Sequence, residues 1–368
     1  MFLSTSGLIL ADDRRIHLGE LTQPRALSAV PFGGRFRLID FILSNMVNSQ
    51  IKTVGVSTFQ KYQSLMDHLG TGSAWDLDRK NQGLSTLAPY IISESYTGES
   101  DDLLGILSFF RNVNTEYILI SSSNAIFSTT YTDLIRTHKE SGADITVMYN
   151  HDGTKYGTPN LILDIDDRRK VRDVLSNPDE PNTDCCSIGT LVLERQLFIH
   201  LVSEAVSRGI PELSIYYFLR QHDSYDIRGY YYDGIVLRFN SIQNYFNSTM
   251  RTLNPSVQEE LFWSDHPIYT KVKDEAPAFY MEGADVERSF ISDGCLIEGS
   301  VTDSMLFRTV RVWQRAGVKN SIIFQGSTIS EGCILENVIV DKDVIIRPGI
   351  RLIGQAEYPV VIGKGAVV

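Results

Sequence analysis

VRVWQRAGVKNSIIFQGSTISEGCILENVIVDKDVIIRPGIRL, residues 310–352, reads differently from everything upstream of about Asp285: short β-branched runs divided by Gly, Ser, Asn and Asp, with almost no helical periodicity. Taken at every sixth residue it gives Val310, Ala316, Ile322, Thr328, Ile334, Val340, Ile346 and Leu352, of which only Thr328 is not apolar. A six-residue period predicts a solenoid in which each short strand turns a corner with one side chain inward and neighbouring coils bury one another. A plain β-meander is the alternative this pattern leaves open.

Upstream, strand-like and helix-like segments alternate. Leu8-Ile9-Leu10, Thr53 to Val56, Tyr117 to Ser121 and Asp144 to Tyr149 read as strands; Asp40 to Ser49, Asp101 to Arg111 and Tyr131 to Ser141 read as helices. This spacing predicts a doubly wound α/β sheet with helices on both faces. Ligands then sit beyond the carboxyl ends of the strands.

Composition removes other classes. With 34 basic against 45 acidic side chains, the net charge of −11 opposes adhesion to phosphate backbones, so no nucleic acid partner is expected. No stretch approaches the ~20 apolar residues that cross a bilayer, and the apolar start lacks a basic leader region, so no membrane association and a cytoplasmic location are expected. Cys185, Cys186, Cys295 and Cys333 lack metal-site spacing and read as buried thiols. The seven histidines are dispersed and read as surface or capping groups.

The runs Leu21 to Ala26, Ala29 to Phe41 and Leu43-Ser44-Asn45 closely resemble the N-terminal region of bacterial glucose-1-phosphate adenylyltransferases. Landmarks in the same order follow: Tyr96-Thr97-Gly98, Ile126-Phe127 with Tyr131, Tyr156-Gly157, Asn177-Pro178, Ser187-Ile188-Gly189 and Trp263 with Pro267-Ile268-Tyr269. The resemblance implies a nucleotidyltransferase-like (Rossmann-like) domain with a doubly wound mixed sheet over 1–250, a linker over 251–284 and a left-handed parallel β-helix of hexapeptide repeats over 285–368. It also implies chemistry that joins ATP and glucose 1-phosphate into ADP-glucose and pyrophosphate. That in-line displacement needs little beyond positioning and charge neutralisation.

The groups that would do this are altered. In the family a loop Gly-Gly-x-Gly-x-Arg-Leu approaches the triphosphate; here it reads Asp12-Asp13-Arg14-Arg15-Ile16-His17-Leu18, without a glycine and with two carboxylates where an anion would lie. As an exposed cap for the following turn the two acids would be equally inhospitable to ATP. Leu27 stands where a phosphate-neutralising lysine is expected. Asn124 and Arg238 stand at the two metal-binding aspartates, and Ser176-Asn177-Pro178 replaces a Glu-Lys-Pro that handles sugar phosphate. The catalytic set is therefore read as degenerate at Asp12, Asp13, Arg15, Leu27, Asn124, Asn177 and Arg238. A residual substrate pocket is expected from Arg25, Gly98, Tyr156, Gly157 and Ser187.

The resemblance is greatest to the non-catalytic D-type subunits of this family. It implies a regulatory, catalytically impaired subunit that joins a catalytic glucose-1-phosphate adenylyltransferase subunit in a hetero-oligomer, a tetramer, with a sugar-phosphate or nucleotide effector. No cofactor is expected on this chain; Mg²⁺ belongs to the catalytic partner. Two alternatives stay open: an active sugar-phosphate nucleotidyltransferase whose metal is held by Asp101, Asp102 or Asp233, and a sugar-phosphate sensor. Outward side chains of Val338-Ile339-Val340 and Val344-Ile345-Ile346 are expected to supply subunit contacts.

Overall fold

The structure, a computed structural model, describes residues 4–13, 15–59, 61–80, 82–87, 101–151 and 161–368, with backbone alone at 101 and 102. Thr5–Leu10 is buried along its whole length, as a central strand covered on both faces must be. Its side chains alternate: Leu8 and Leu10 join a core with the helices Asp101–Asn112 and Arg195–Ser207, while Ile9 joins one with Leu38–Asn48 and Thr132–Ser141.

Thr53–Ser57 and Tyr117–Ser122 flank the first strand in parallel, and Gly83–Leu87 extends the sheet beyond Thr53–Ser57. After Tyr117–Ser122 the direction reverses. Cys186–Glu194 runs antiparallel to it and to Ile145–Asn150, which pairs in parallel with Ile227–Tyr231. Leu161–Ile165 and Val171–Ser176 complete nine strands, the doubly wound mixed sheet read from the sequence.

From Phe279 onward, strands of two or three residues stack into three five-stranded parallel sheets, a three-sided β-helix. It starts earlier than the expected 285, because Phe279–Tyr280 already pairs with Leu296–Ile297. Nor is 251–284 all linker: Pro255–Phe262 is a helix with Asn254 as its cap and Val257 and Leu261 in the core.

The six-residue register holds only in part. Arg311 pairs with Thr328 and Thr328 with Ile345, each 17 residues on, where three six-residue sides would take about 18. The pattern therefore slips by one residue per coil. Val310, Ala316, Val340 and Ile346 face the solenoid core, but Ile334 is 37% exposed and Leu335 takes the inner place.

Ile322 faces neither solvent nor the solenoid. With Met305, Phe307, Phe324 and Ile339 it forms one wall of the β-helix, packed on Phe32, Phe41, Leu237, Phe239 and Tyr245 of the α/β domain. Phe324 sits 4.9 Å from the ring of Phe307 and 6.3 Å from that of Tyr245. This corrects the expectation for Ile339, whose outward side chain is covered by its own chain. Ile345, 46% exposed, is not.

Gly34 permits the close approach on this seam. It turns between Pro31–Phe32 and Phe36–Arg37 with φ +79°, and a Cβ there would stand 2.6 Å from Ser292 Oγ. Among the described residues no helix is long and apolar enough to cross a membrane.

Candidate functional site

Asp12, Asp13, Arg15, Asn124 and Ser187, all singled out in the sequence, line one cavity beyond the carboxyl end of Thr5–Leu10, with Ser122, Gly189, Leu213, Ser214 and Ile215. It measures about 30 Å³, room for water, whereas a pocket for a molecule of nucleotide size occupies roughly 300 Å³ or more.

Asn124 is held at both ends of its amide. Its Oδ1 accepts from Ser122 Oγ at 2.6 Å and its Nδ2 donates to Asn240 Oδ1 at 3.2 Å. Gly189 makes this possible: with φ +78°, a Cβ would lie 2.1 Å from Ser122 Oγ. Arg238, opposite Ala125 in a two-stranded ladder, is buried and donates to Ser187 O and to Asn150 Oδ1, each at 2.9 Å. Neither position offers a carboxylate, and every polar atom named is already engaged. These residues do not fit Mg²⁺.

The loop after the first strand departs from what its two acids suggested. Arg15 donates Nε to Asp13 Oδ1 at 3.0 Å and NH2 to Asp13 Oδ2 at 2.9 Å, so that pair neutralises itself. Asp13 Oδ1 also accepts from Arg15 N at 2.9 Å, the turn-capping role. Asp12 accepts from Leu27 N at 3.2 Å, and burial pushes its carboxyl up to about 6, against the lowering effect of that hydrogen bond. Repulsion of an anion is therefore weaker than expected.

Other expected positions fall elsewhere. Leu27 is buried in the seam between the domains, where a lysine would be costly. Arg25 is 2% exposed and directs NH2 to Asp341 Oδ1 of the β-helix at 2.9 Å, and it also lines, with Asp12, Asp13 and Lys61, a neighbouring cavity of about 190 Å³. Asn177 turns the chain after Val171–Ser176 with φ +47°, a conformation Asn tolerates. Asp233 accepts from the Tyr231 hydroxyl at 3.1 Å and does not line the Asn124 cavity. Gly98, Tyr156, Gly157 and the side chains of Asp101 and Asp102 lie outside the described residues.

Two histidines correct the surface reading. His68 is buried with Nε2 2.6 Å from Asp40 Oδ1, and burial lowers its pKa against that hydrogen bond. His138 is buried with Nδ1 2.8 Å from Thr146 Oγ1, and burial lowers it to about 4. The cysteines are free, but Cys185 is only half-buried.

Sequence reasoning missed a second cavity, of about 190 Å³, where the hairpin around Gly34 meets the solenoid. Arg35, Arg37, Lys271, Lys273, Arg308 and Lys342 line it against two carboxylates, Glu275 and Asp343. Lys342 is 6% exposed and forms no ion pair among the described residues; burial, then the Arg37 and Arg25 charges, lower it to about 7. The groups lie 234 or more residues apart from one domain to the other (Arg37 and Lys271 at the nearest), so no local spacing marks them.

A nucleotidyl transferase family model matches residues 6–233, and a GlmU-like C-terminal hexapeptide model matches 278–357. The glycogen biosynthesis protein GlgD of Bacillus subtilis (strain 168) is 34% identical over 352 residues, 95% of this chain and 93% of that protein. The glucose-1-phosphate adenylyltransferases of Bacillus mycoides (strain KBAB4) and Bacillus anthracis are each 29% identical over 354 residues, 93% of either chain. The chain belongs to the glucose-1-phosphate adenylyltransferase family. Within it the solenoid is the left-handed parallel β-helix.

Proposed function

We propose that this chain is a regulatory, catalytically impaired subunit of glucose-1-phosphate adenylyltransferase in bacterial glycogen biosynthesis. It acts in the cytoplasm by assembling, as a heterotetramer, with a catalytic subunit that holds the Mg²⁺. One observation supports the reading: the amide of Asn124 and the guanidinium of Arg238, at the positions where the family resemblance implies two metal-binding carboxylates, carry no negative charge and are tied to Ser122, Asn240, Asn150 and Ser187. Loss of such groups typically costs ~10²-fold or more in rate each, until background is reached.

A sugar-phosphate or nucleotide effector is part of this reading, and the cationic cavity of about 190 Å³ would receive its phosphate group. A phosphate group entering it would offset the crowding of Lys342 against Arg37 and Arg25, and the site is built from both domains, so an occupant would stiffen their junction. Glucose 1-phosphate, ATP and Mg²⁺ supplied to the purified chain should release no pyrophosphate above background. Mixed with a catalytic subunit, it should co-elute and raise that subunit's turnover. Robust turnover by the chain alone would overturn the reading, as would failure to associate.

A further inference from the structure

Asn150 and Cys186 are partners in the antiparallel ladder between Ile145–Asn150 and Cys186–Glu194. That register sets the next residue of one strand, His151, against the preceding residue of the other, Cys185, at the separation where cross-strand side chains meet. Asp184 joins them from the same approach. Asp184 Oδ1 is 2.7 Å and Cys185 Sγ 3.8 Å from one atom, His151 Nδ1, and the three ligand-type atoms all lie within 4.8 Å of one another. Among the described residues this is the group of mixed His, Cys and acid donors so assembled.

We propose that His151, Asp184 and Cys185 form a binding site for a zinc-class divalent cation. An imidazole nitrogen, a carboxylate oxygen and a thiolate are the donor set of borderline cations, and three protein ligands leave a fourth tetrahedral position for water. With metal–nitrogen and metal–sulfur bonds of ~2.0 and ~2.3 Å, tetrahedral geometry places N and S roughly 3.6 Å apart. The separation of 3.8 Å already meets that requirement.

The nitrogen and oxygen must part by about 0.7 Å to admit the ion. Asp184 is exposed and on a loop, so it can yield. The rings of Tyr149 and Tyr231, 5.7 and 5.1 Å from the imidazole, hold the histidine.

Binding is balanced by protons alone. The Cys185 thiol loses its proton to solvent as the sulfur–metal bond forms; the Nδ1 proton shared with Asp184 is also given to solvent, and the neutral imidazole holds its single proton on Nε2, so that Nδ1 can donate its lone pair. The bound ion would clasp two paired strand ends directly behind Asn150, which holds Arg238.

The full-length reduced chain is titrated with Co²⁺ and then Zn²⁺. One equivalent of Co²⁺ should produce near-ultraviolet thiolate-to-metal charge transfer, which Zn²⁺ abolishes. C185S should remove the band and weaken Zn²⁺ at least ~10-fold, H151A should weaken it similarly, and C186S should leave both unchanged. Circular dichroism checks the fold of each variant. As a readout on the unaltered chain, Zn²⁺ should protect Cys185 from alkylation, located by mass spectrometry. Absence of a band, its survival in C185S, or equal alkylation with and without Zn²⁺ would overturn the proposal.

Discussion

Arg25 of the α/β domain and Asp341 of the β-helix form an ion pair at 2.9 Å with both side chains almost wholly buried. The Asp341 carboxylate also accepts from Lys342 N at 2.7 Å, and Arg25 NH1 donates to Leu21 O at 3.3 Å. Such a pair contributes little net stability over an apolar replacement, but removing one member strands the other. R25M and D341L should each lower unfolding free energy by about 3–5 kcal/mol, and the double variant by clearly less than their sum. Urea titration of all four forms tests this; additive losses would mean the two charges do not compensate one another.

Lys342 makes the cationic cavity pH-sensitive. Its folded pKa of about 7 lies below the ordinary 10.5, so between these values the unfolded chain binds more protons and stability rises with pH. An anion in the cavity favours the protonated lysine. Sulfate, whose own charge is constant over this range, should bind more weakly as pH increases from 6 to 8, roughly tenfold at most, and K342M should flatten the profile. Calorimetric titration would show it, and an unchanged profile in K342M would assign the dependence to another group.

Gly189 should be intolerant of any side chain. G189A forces a Cβ onto Ser122 Oγ and keeps φ positive, so a loss of about 1–3 kcal/mol is expected. G142A, with φ +64° and open space around its Cβ, should lose about 1 kcal/mol. Similar losses at both sites would show that crowding by Ser122 contributes nothing.

The two isoleucines of the solenoid should separate folding from assembly. I339A opens a void in the interdomain seam and should cost about 2–5 kcal/mol. I345E alters a half-exposed side chain and should leave the melting temperature within a degree or two while weakening association with the catalytic subunit. Native mass spectra with and without that subunit, beside melting curves, distinguish the outcomes.

The α/β alternation was legible because each element carries its own period: Leu8-Ile9-Leu10 grew only to Thr5–Leu10, and Asp40 to Ser49 shifted only to Leu38–Asn48. The solenoid was legible as a texture but not as a register, since a 17-residue coil and an outward wall devoted to Phe307, Phe324 and Ile339 break a strict six-residue count. Asn124 and Arg238 could be found from flanking motifs. Ser122 lies two residues from Asn124, but the restraint by Asn240 and Asn150 could not be found, because those partners arrive from distant parts of the chain. The cationic cavity and the His151, Asp184 and Cys185 group were hidden for the same reason: cross-domain and cross-strand neighbours leave no local spacing.

The wall that joins the solenoid to the sheet has a practical corollary for anyone dissecting this molecule. Cut away after Phe262, the N-terminal fragment would expose Phe32, Phe239 and Tyr245 to water, a sticky aromatic scar from which Phe307 and Phe324 had been withdrawn. Either half expressed alone should aggregate through that surface, and chimeras should exchange the pair together.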